Sequence, residues 1–149
     1  YTGEDTLSLH DALPISDVDV AIAAAAVADY KPKIVSAQKI KKAADEFTIE
    51  LEKTKDILAS LGANKKNQFL IGFALETENE IENAKIKIQK KNLDLIVLNS
   101  LQDKGAGFGK DTNKITFIDK SFRIETMELK SKEAVADDIL NKVIAFFYE

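Results

Sequence analysis

The chain has 149 residues, of which 45% are hydrophobic and 31% charged, and this composition is typical of one globular domain with a sizeable core. Its net charge of −4 excludes nucleic-acid binding through bulk positive charge, and no apolar run approaches the ~20 residues of a membrane span. With no cysteine and a single histidine, disulfides and thiolate metal sites are excluded and a histidine-based triad is disfavoured. We expect a cytoplasmic protein that binds neither nucleic acid nor membrane.

The first sixteen residues, Tyr1–Ser16, differ from the rest of the chain. They show no strand alternation, Pro14 would break a helix, and the charged start of a signal peptide is missing. We predict a non-native or disordered leader over 1–16 and a domain over 17–149, with a native loop and short helix as the alternative for the leader. His10 and Asp11 are given no catalytic role.

The alanine-rich run Asp19–Ala26 predicts a strand buried on both faces, with a helix as the alternative because alanine favours helices. Asp29 and Pro32 end this element. Lys33–Ala44 is polar and basic, which is typical of a loop. Phe47–Leu51 alternates apolar and polar residues and therefore predicts a half-buried strand.

A short helix follows. Thr54 is a suitable N-cap for a helix that begins at Lys55 and extends to about Leu61. Gly62 then stands where a helix commonly ends.

The middle of the chain predicts a strand, a helix and a second strand. Phe69–Leu75 is apolar throughout, and its central glycine, Gly72, indicates close approach by a backbone or a ligand. Thr77 with Glu80 forms a capping box, which opens a helix to about Lys91. Its buried stripe is Ile81, Ala84 and Ile88. Leu93–Leu98 is the next strand, so we expect parallel pairing with a right-handed crossover.

The C-terminal third predicts a glycine loop at Lys104–Asn113 and a β-hairpin from Lys114–Ile118 and Phe122–Met127. Ser131 caps a last helix that extends to about Phe147. The residues expected to face inward are Val135, Ile139, Leu140, Val143 and Ile144. Together these elements predict an α/β fold, a Rossmann-like three-layer sandwich with a mostly parallel sheet and a C-terminal hairpin and helix.

Two groups of lysines could bind an anion. Lys39, Lys41 and Lys42 lie within four residues and repel one another unless an anion or water screens them. Lys87 and Lys91 share one helix face, where like charges are mildly destabilising. The alternatives are a solvated loop for the first group and an exposed helix face for the second.

Other polar and aromatic residues are ambiguous. Asp29 stands where a metal–phosphate ligand could lie, although a turn-forming aspartate is as plausible. The glycines of Gly105–Gly109 do not form a dinucleotide fingerprint, because a strand and not a helix follows them. Phe73 and Phe108 could stack on a base, but core packing is the stronger interpretation for Phe73.

Several segments, in this order and spacing, resemble one family. The most specific are AAVADY at Ala25–Tyr30 and KIKK at Lys39–Lys42. The others are TKDILA at Thr54–Ala59, IGFALET at Ile71–Thr77, KNLDLIVLN at Lys91–Asn99 and GFGKDTNKI at Gly107–Ile115. The chain from Asp17 to Glu149 resembles phosphopantothenoylcysteine synthetase, the ligase of coenzyme A biosynthesis.

The resemblance implies a two-step ligation. CTP, with ATP as the alternative, activates the carboxylate of 4′-phosphopantothenate as an acyl nucleotide, and the amine of cysteine then attacks the acyl carbon. Mg²⁺ is implied on the nucleotide phosphates, with no metal-ligand cluster of the protein's own. FMN is implied only if a decarboxylase domain is fused upstream. The family implies a homodimer, or a higher oligomer with such a fusion.

The resemblance also assigns residues. Lys39 matches the position most closely tied to catalysis. The implied nucleotide contacts are Asp29, Lys39, Lys55, Asp56, Ile57, Leu58, Phe73, Lys87 and Lys91. Residues implied in the flap and substrate site are Ala25, Lys41, Lys42 and Asn99. We therefore expect ammonium groups from around position 39 and from positions 87–91 to converge above the carboxyl edge of the sheet.

The chain departs from the family in two respects. The first βαβ unit, with its glycine-rich loop and Asn-x-Ser-Ser-Gly stretch, is missing, and Lys55 stands where many members have proline. The alternative function is therefore a non-catalytic nucleotide-binding or scaffold module. A different Rossmann-like enzyme that uses NAD is disfavoured, because its glycine fingerprint is absent.

Overall fold

A computed structural model of the chain describes residues 15–40, 47–100 and 110–148. A 3-10 turn at Ile15–Asp17 precedes the regular elements. In chain order these are β1 (Val20–Ala23), β2 (Tyr30–Pro32), β3 (Leu51–Lys53), α1 (Ile57–Asn64), β4 (Phe69–Glu76), α2 (Glu80–Lys90), β5 (Leu95–Ser100), β6 (Thr112–Asn113), β7 (Ile115–Asp119), β8 (Ile124–Thr126), β9 (Lys130–Ser131) and α3 (Lys132–Tyr148). Residues 1–14 of the predicted leader, Lys41, Lys42 and Gly105–Gly109 lie outside the described residues. No helix in the described ranges is long and apolar enough to cross a membrane.

The main sheet has five strands in the order β1-β4-β5-β7-β8. The first three strands pair in parallel, and β7 and β8 extend the sheet in antiparallel fashion. The predicted hairpin is thereby confirmed, as is the α/β class. The predicted strand at Asp19–Ala26 is confirmed over Val20–Ala23, but it is not buried on both faces. Because β1 lies at the edge of the sheet, Ile22 remains 44% exposed.

The predicted βαβ unit is confirmed as β4, α2 and β5. Gly72 pairs with Ile96 across the two parallel strands. Ala84 and Ile88 of α2 are buried, as expected. The approach at Gly72 is by side chains, since a Cβ there would lie 2.8 Å from a methyl of Leu93 and 2.9 Å from one of Leu58. We expected a backbone or a ligand close to this glycine, but the close contacts are with hydrophobic side chains.

The sheet has a core on each face, which gives the expected three layers. On one face, alternate residues of β4, β5 and β7 pack against Val135 and Ile139 of α3. On the other, the intervening residues pack against Ala84 and Ile88 of α2, with Leu58 of α1 beside them. This alternation follows from the two-residue period of a strand, which sends successive side chains to opposite faces.

The last helix begins as predicted, since the hydroxyl of Ser131 accepts a hydrogen bond from the N–H of Ala134 at 3.2 Å. The inward face is narrower than expected. Leu140 is 52% exposed and Ile144 is 55% exposed, so the prediction that they face inward is wrong. A helix turns about 100° per residue, and packing centred on Val135 and Ile139 turns these two side chains away.

The capping box predicted for α2 is also wrong, although the helix itself is confirmed. Asn79, and not Thr77, occupies the N-cap, with a left-handed φ of 47° and no side-chain capping hydrogen bond. The backbone carbonyl of Asn79 accepts the first helical hydrogen bond, from the N–H of Asn83 at 2.9 Å. Asparagine tolerates this backbone region better than threonine, which is β-branched.

A separate two-stranded ribbon lies between β1 and α1 in the chain. β2 and β3 pair antiparallel, with Lys31 and Glu52 forming an ion pair of 3.3 Å across them. The half-buried strand predicted at Phe47–Leu51 is wrong: the strand is Leu51–Lys53, and Phe47 is 65% exposed. Among the described strands, this ribbon pairs with none from the main sheet, so its alternating apolar residues have no core to cover.

Asp94 forms a buried polar centre at the amino-terminal edge of the parallel strands. Its carboxylate accepts a 2.5 Å hydrogen bond from the ammonium group of Lys65, and both side chains are only 8% exposed. The same carboxylate accepts the backbone N–H of Leu70 at 2.9 Å. Burial removes the hydration of a charged group, and partners of this kind offset that loss. Asp94 thus ties α1, β4 and β5 together at the edge opposite the expected site.

Gly62 does not end α1, as the sequence predicted, but lies inside it. The helix passes so close to the turn after α2 that a Cβ at position 62 would lie 1.8 Å from the backbone oxygen of Lys91. The side-chain amide of Asn92 donates to the carbonyl of Gly62 at 2.9 Å. Glycine is therefore required here for close approach, and this approach places Lys91 beside α1.

We expect Gly62→Ala to destabilise the fold by about 2 kcal/mol or more. Overpacking against a backbone atom costs about 1–3 kcal/mol or more, which outweighs the ~1 kcal/mol that alanine gains in helix propensity. Urea denaturation measures the difference. Ala63→Gly, at an exposed neighbour, is the control and should lose only about 1 kcal/mol. A Gly62→Ala variant as stable as the parent chain would contradict this account.

Candidate functional site at the carboxyl edge of the sheet

The strands β4 and β5 end at the same edge, and polar side chains stand where they end. Glu76 is the last residue of β4, and Asn99 and Ser100 are the last two of β5. Ser100 donates to a carboxylate oxygen of Glu80 at 2.5 Å, and Asn113 donates to Asn99 at 3.0 Å. The carboxyl edge of parallel strands is the usual place for a ligand site in an open α/β sheet. Asn99, assigned to the substrate site from the sequence, lies at this edge.

Asp56 caps the first turn of α1. Its carboxylate accepts the N–H of Ala59 at 2.9 Å, so Asp56 is the N-cap and the helix begins at Ile57. The predicted cap, Thr54, is wrong because its hydroxyl donates instead to the carbonyl of Ala28 at 2.6 Å. The predicted helix start at Lys55 is accordingly two residues early.

Thr54 also joins two groups of predicted site residues. Its N–H bonds to the carbonyl of Asp29 at 2.9 Å. The segment that follows β1 and the start of α1 are therefore held side by side, and Asp29 lies near Lys55 and Asp56. Ala25 belongs to the same exposed segment after β1. The structure thus brings together several nucleotide contacts that the resemblance assigned.

Lys87 reaches a carboxylate from α2 and Lys91 reaches another from the C-cap just beyond it, so the two do not share a face within the helix as the spacing predicted. The ammonium group of Lys91 lies 3.0 Å from the carboxylate of Asp56, and that of Lys87 lies 2.5 Å from Glu76. The Lys91 side chain is 26% exposed and that of Lys87 is 40% exposed, so both are partly covered and neither is fully solvated. The pair Lys91–Asp56 brings two predicted site residues into direct contact across 35 positions of sequence.

The ionisation of Asp56 reflects this environment. Burial raises the pKa of the Asp56 carboxyl, but the N–H of Ala59 and the ammonium group of Lys91 together outweigh burial and hold the pKa below its ordinary value. Asp56 therefore carries a full negative charge at neutral pH, beside the positive charge of Lys91.

We expect the stability contributed by the Asp56 charge to be complete above pH ~3.9, the ordinary aspartate pKa, and to be lost as the pH falls through the lower folded-state pKa. Asp56→Asn keeps a capping oxygen but removes the charge. The parent chain should be more stable than this variant at pH 7, and the difference should shrink as the pH falls below the ordinary aspartate pKa and through the lower folded-state pKa. Chemical denaturation at several pH values measures it, and a difference independent of pH would contradict the assignment.

The apolar site residues divide between two faces of the sheet. Leu58 packs against the core on the α1 and α2 side, whereas Phe73 packs against the core on the α3 side. Ile57 is half-buried at the start of α1. The structure therefore does not bring the ring of Phe73 beside Leu58, and a nucleotide contact by Phe73 remains a prediction.

The catalytic candidate Lys39 lies in an irregular, exposed segment after β2. It makes no hydrogen bond or ion pair with any residue in the described ranges, unlike Lys87 and Lys91. The same segment and the residues before β3 line an open cavity of about 480 Å³. Its lining includes Pro32, Ile34, Val35, Gln38, Ile40 and Phe47. Convergence of Lys39 with Lys87 and Lys91 remains a prediction.

Sequence reasoning missed Glu76 and Asn83. Neither the local pattern nor the resemblance assigns a role to Glu76. The only indication is a carboxylate at the end of a buried strand, eleven residues before a lysine on the next helix. Spacing alone does not show that the two would meet, because the contact depends on how α2 is rotated against the sheet.

The chain matches known proteins over nearly all its length. Residues 7–147 match the family described as DNA/pantothenate metabolism flavoprotein C-terminal domain. The Coenzyme A biosynthesis bifunctional protein CoaBC of Bacillus subtilis (strain 168) is 44% identical over 142 residues, which cover 95% of this chain and 34% of that protein. A Cysteine/Cysteine sulfinic acid decarboxylase of an unknown prokaryotic organism is 55% identical over 133 residues, which cover 89% of this chain and 37% of that protein.

A solved structure agrees with these matches. The crystal structure of the C-terminal domain of Coenzyme A biosynthesis bifunctional protein CoaBC superposes with a TM-score of 0.69 at 38% identity. The alignment covers 88% of this chain and 56% of that one. The chain therefore spans about a third of the length of the curated relatives, and 56% of the solved domain.

Proposed function

Since the chain belongs to the DNA/pantothenate metabolism flavoprotein C-terminal domain family, we propose that it is a phosphopantothenate–cysteine ligase segment of coenzyme A biosynthesis. The match to a CoaBC protein over 95% of this chain is the observation that carries the proposal. Decarboxylation, which the name of another relative implies, is not part of the proposal, because both the matching family and the solved CoaBC structure are described as C-terminal domains.

The proposed reaction has two steps. The carboxylate of 4′-phosphopantothenate attacks the α-phosphorus of CTP, which forms an acyl nucleotide and releases pyrophosphate. The amine of cysteine then attacks the acyl carbon, forms the amide and releases CMP. Negative charge builds on the phosphates in the first step, and cations fixed in advance stabilise it. ATP in place of CTP is the alternative nucleotide.

The residues of the carboxyl edge suit the binding of a triphosphate. Lys87 on α2 and Lys91 at its C-cap are paired with Glu76 and Asp56, which restricts the positions of two long, flexible side chains. Lys39 lies in an exposed segment and has no hydrogen-bond or ion-pair partner among the described residues. We assign Lys39 to the phosphate at which charge develops.

Mg²⁺ is part of the proposal as a partner of the nucleotide. Among the described residues, no group of three or more His, Cys, Asp or Glu could hold a metal ion. Magnesium in nucleotide sites keeps its waters and uses one or two carboxylates together with substrate phosphates, and Asp29 is the carboxylate we assign. When bound, Mg²⁺ neutralises phosphate charge. FMN belongs to the proposal only with a decarboxylase domain upstream, and a cytoplasmic homodimer is its proposed form.

The test is pyrophosphate release by the purified chain with Mg²⁺ and CTP. The proposal expects release only when phosphopantothenate is present, and CMP formation that increases when cysteine is added. Comparing pyrophosphate release with CTP and with ATP shows which nucleotide the chain uses. Binding of CTP with no pyrophosphate release would favour a non-catalytic nucleotide-binding module, the alternative from the sequence. Absence of CTP binding would contradict both.

A further inference from the structure

Glu76 holds a central place at the carboxyl edge, although the resemblance assigns it no role and the proposed reaction does not use it. It ends β4, and its side chain is only 13% exposed. One carboxylate oxygen accepts from the ammonium group of Lys87 at 2.5 Å, and the other accepts from the side-chain amide of Asn83 at 3.2 Å. Both donors lie on successive turns of α2, so the carboxylate is held from two points.

This pair differs from the other ion pair on the same helix. Lys85 and Glu82 are 2.8 Å apart, but they pair within α2, and Glu82 is 70% exposed. Exposed pairs of this kind are screened by water and salt, and they hardly restrict the motion of the two side chains. The Glu76 pair joins the sheet edge to α2, and its carboxylate is withdrawn from solvent, although Lys87 itself is 40% exposed. It therefore restricts Lys87, whose ammonium group would otherwise move freely on a four-carbon chain.

A carboxylate in contact with Lys87 has a second effect, which is to oppose the approach of phosphate. Without this carboxylate, Lys87 would strengthen binding of the triphosphate in the ground state as well as in the transition state, and the part of the binding common to both states does not raise kcat. A lysine held in one position and partly neutralised binds the ground state less tightly. Its contribution is then largest where charge develops.

We propose that Glu76 is a positioning residue that acts through Lys87, weakening ground-state binding of the nucleotide and orienting the ammonium group toward the reacting phosphate. The inference rests on the proposed function, because it requires a nucleoside triphosphate at this edge. Asn83 supports the same arrangement by fixing the second oxygen of Glu76.

The experiment compares Glu76→Gln with Glu82→Gln, which removes the exposed carboxylate of α2. Glu76→Gln keeps the size of the side chain and removes its charge. Calorimetric titration with Mg·CTP should show binding about two- to fivefold tighter in Glu76→Gln, since one partly exposed charge contributes about that much. Pyrophosphate release should be about tenfold slower at saturating substrate, as expected when a supporting partner is lost. Glu82→Gln should match the parent chain in both measurements.

Tighter binding together with slower release separates positioning from a structural role, because partial unfolding cannot tighten binding. Glu76→Asp, which keeps the charge but shortens the side chain, should bind CTP like the parent and still release pyrophosphate slowly. If Glu76→Gln binds CTP equally or more weakly, the inference is wrong while the proposed function stands. If the parent chain does not bind Mg·CTP, both are wrong.

Discussion

Lys39→Ala is expected to slow pyrophosphate release by about 100-fold or more. Removing one fixed donor that stabilises developing charge typically costs about 10²–10³ in kcat, and Lys39 is the residue assigned to that charge. Its effect should exceed that of Lys87→Ala or Lys91→Ala, because the resemblance ties the position of Lys39 most closely to catalysis. Release of pyrophosphate under saturating CTP and phosphopantothenate measures the rate.

The matched control is Lys33→Ala. Lys33 lies on the same exposed segment but forms an ion pair of 3.5 Å with Glu50 and is not a site residue. Its replacement should change the rate by less than about twofold, because an exposed pair contributes little. Equal rates in the parent chain and Lys39→Ala would show that the assignment of Lys39 to the reacting phosphate is wrong.

Asp94→Ala is expected to destabilise the fold by about 3–5 kcal/mol. The change leaves the buried ammonium group of Lys65 without its carboxylate, and breaking a buried pair from one side has an effect of that size. The N–H of Leu70 also loses its acceptor. Since small domains are stable by only about 5–15 kcal/mol, the variant should be largely unfolded under mild denaturant. Urea denaturation followed by circular dichroism measures the loss.

Two comparisons sharpen this prediction. Asp94→Asn retains an acceptor for Leu70 but not the charge for Lys65, so its loss of stability should be intermediate. Glu82→Ala, at an exposed pair, should stay within about 0.5 kcal/mol of the parent chain. A loss below about 1 kcal/mol in Asp94→Ala would show that the buried pair does not hold this edge of the sheet together.

The β4–α2–β5 unit could be predicted from the sequence because periodicity alone defines it. Phe69–Leu75 is continuously apolar, and Ala84 and Ile88 recur at helical spacing, so strand, helix and strand follow without tertiary information. Parallel pairing then follows from the connection. These are the parts of the fold in which local pattern and packing agree.

The helix starts could not be predicted as well, because neighbouring residues compete for the cap. Thr54 and Asp56 are both good N-caps, and the carbonyl of Ala28, 26 residues earlier in the chain, decides between them by accepting the hydroxyl of Thr54. At α2, the N-cap position is occupied by Asn79 and not by Thr77 as predicted. Such choices depend on tertiary contacts that no local pattern contains.

The sequence predicted which lysines belong to the candidate site, but it did not predict which carboxylates they pair with. Spacing alone relates Lys87 to Lys91, whereas their partners Glu76 and Asp56 come from β4 and from the start of α1. Close packing at Gly62 brings Lys91 to α1, and the sequence suggested a helix end there instead. Which carboxylate meets which lysine therefore depends on the tertiary packing and cannot be derived from local sequence.

The location of the nucleotide can be measured directly by recording amide chemical shifts of the ¹⁵N-labelled chain during titration with Mg·CTP. We predict that the largest changes fall on Lys39, on residues 56–59, and on Lys87 of α2 and Lys91 at its C-cap. Changes confined to the opposite edge, around Lys65 and Asp94, or the absence of any change at millimolar nucleotide, would contradict a triphosphate site at the carboxyl ends of these strands.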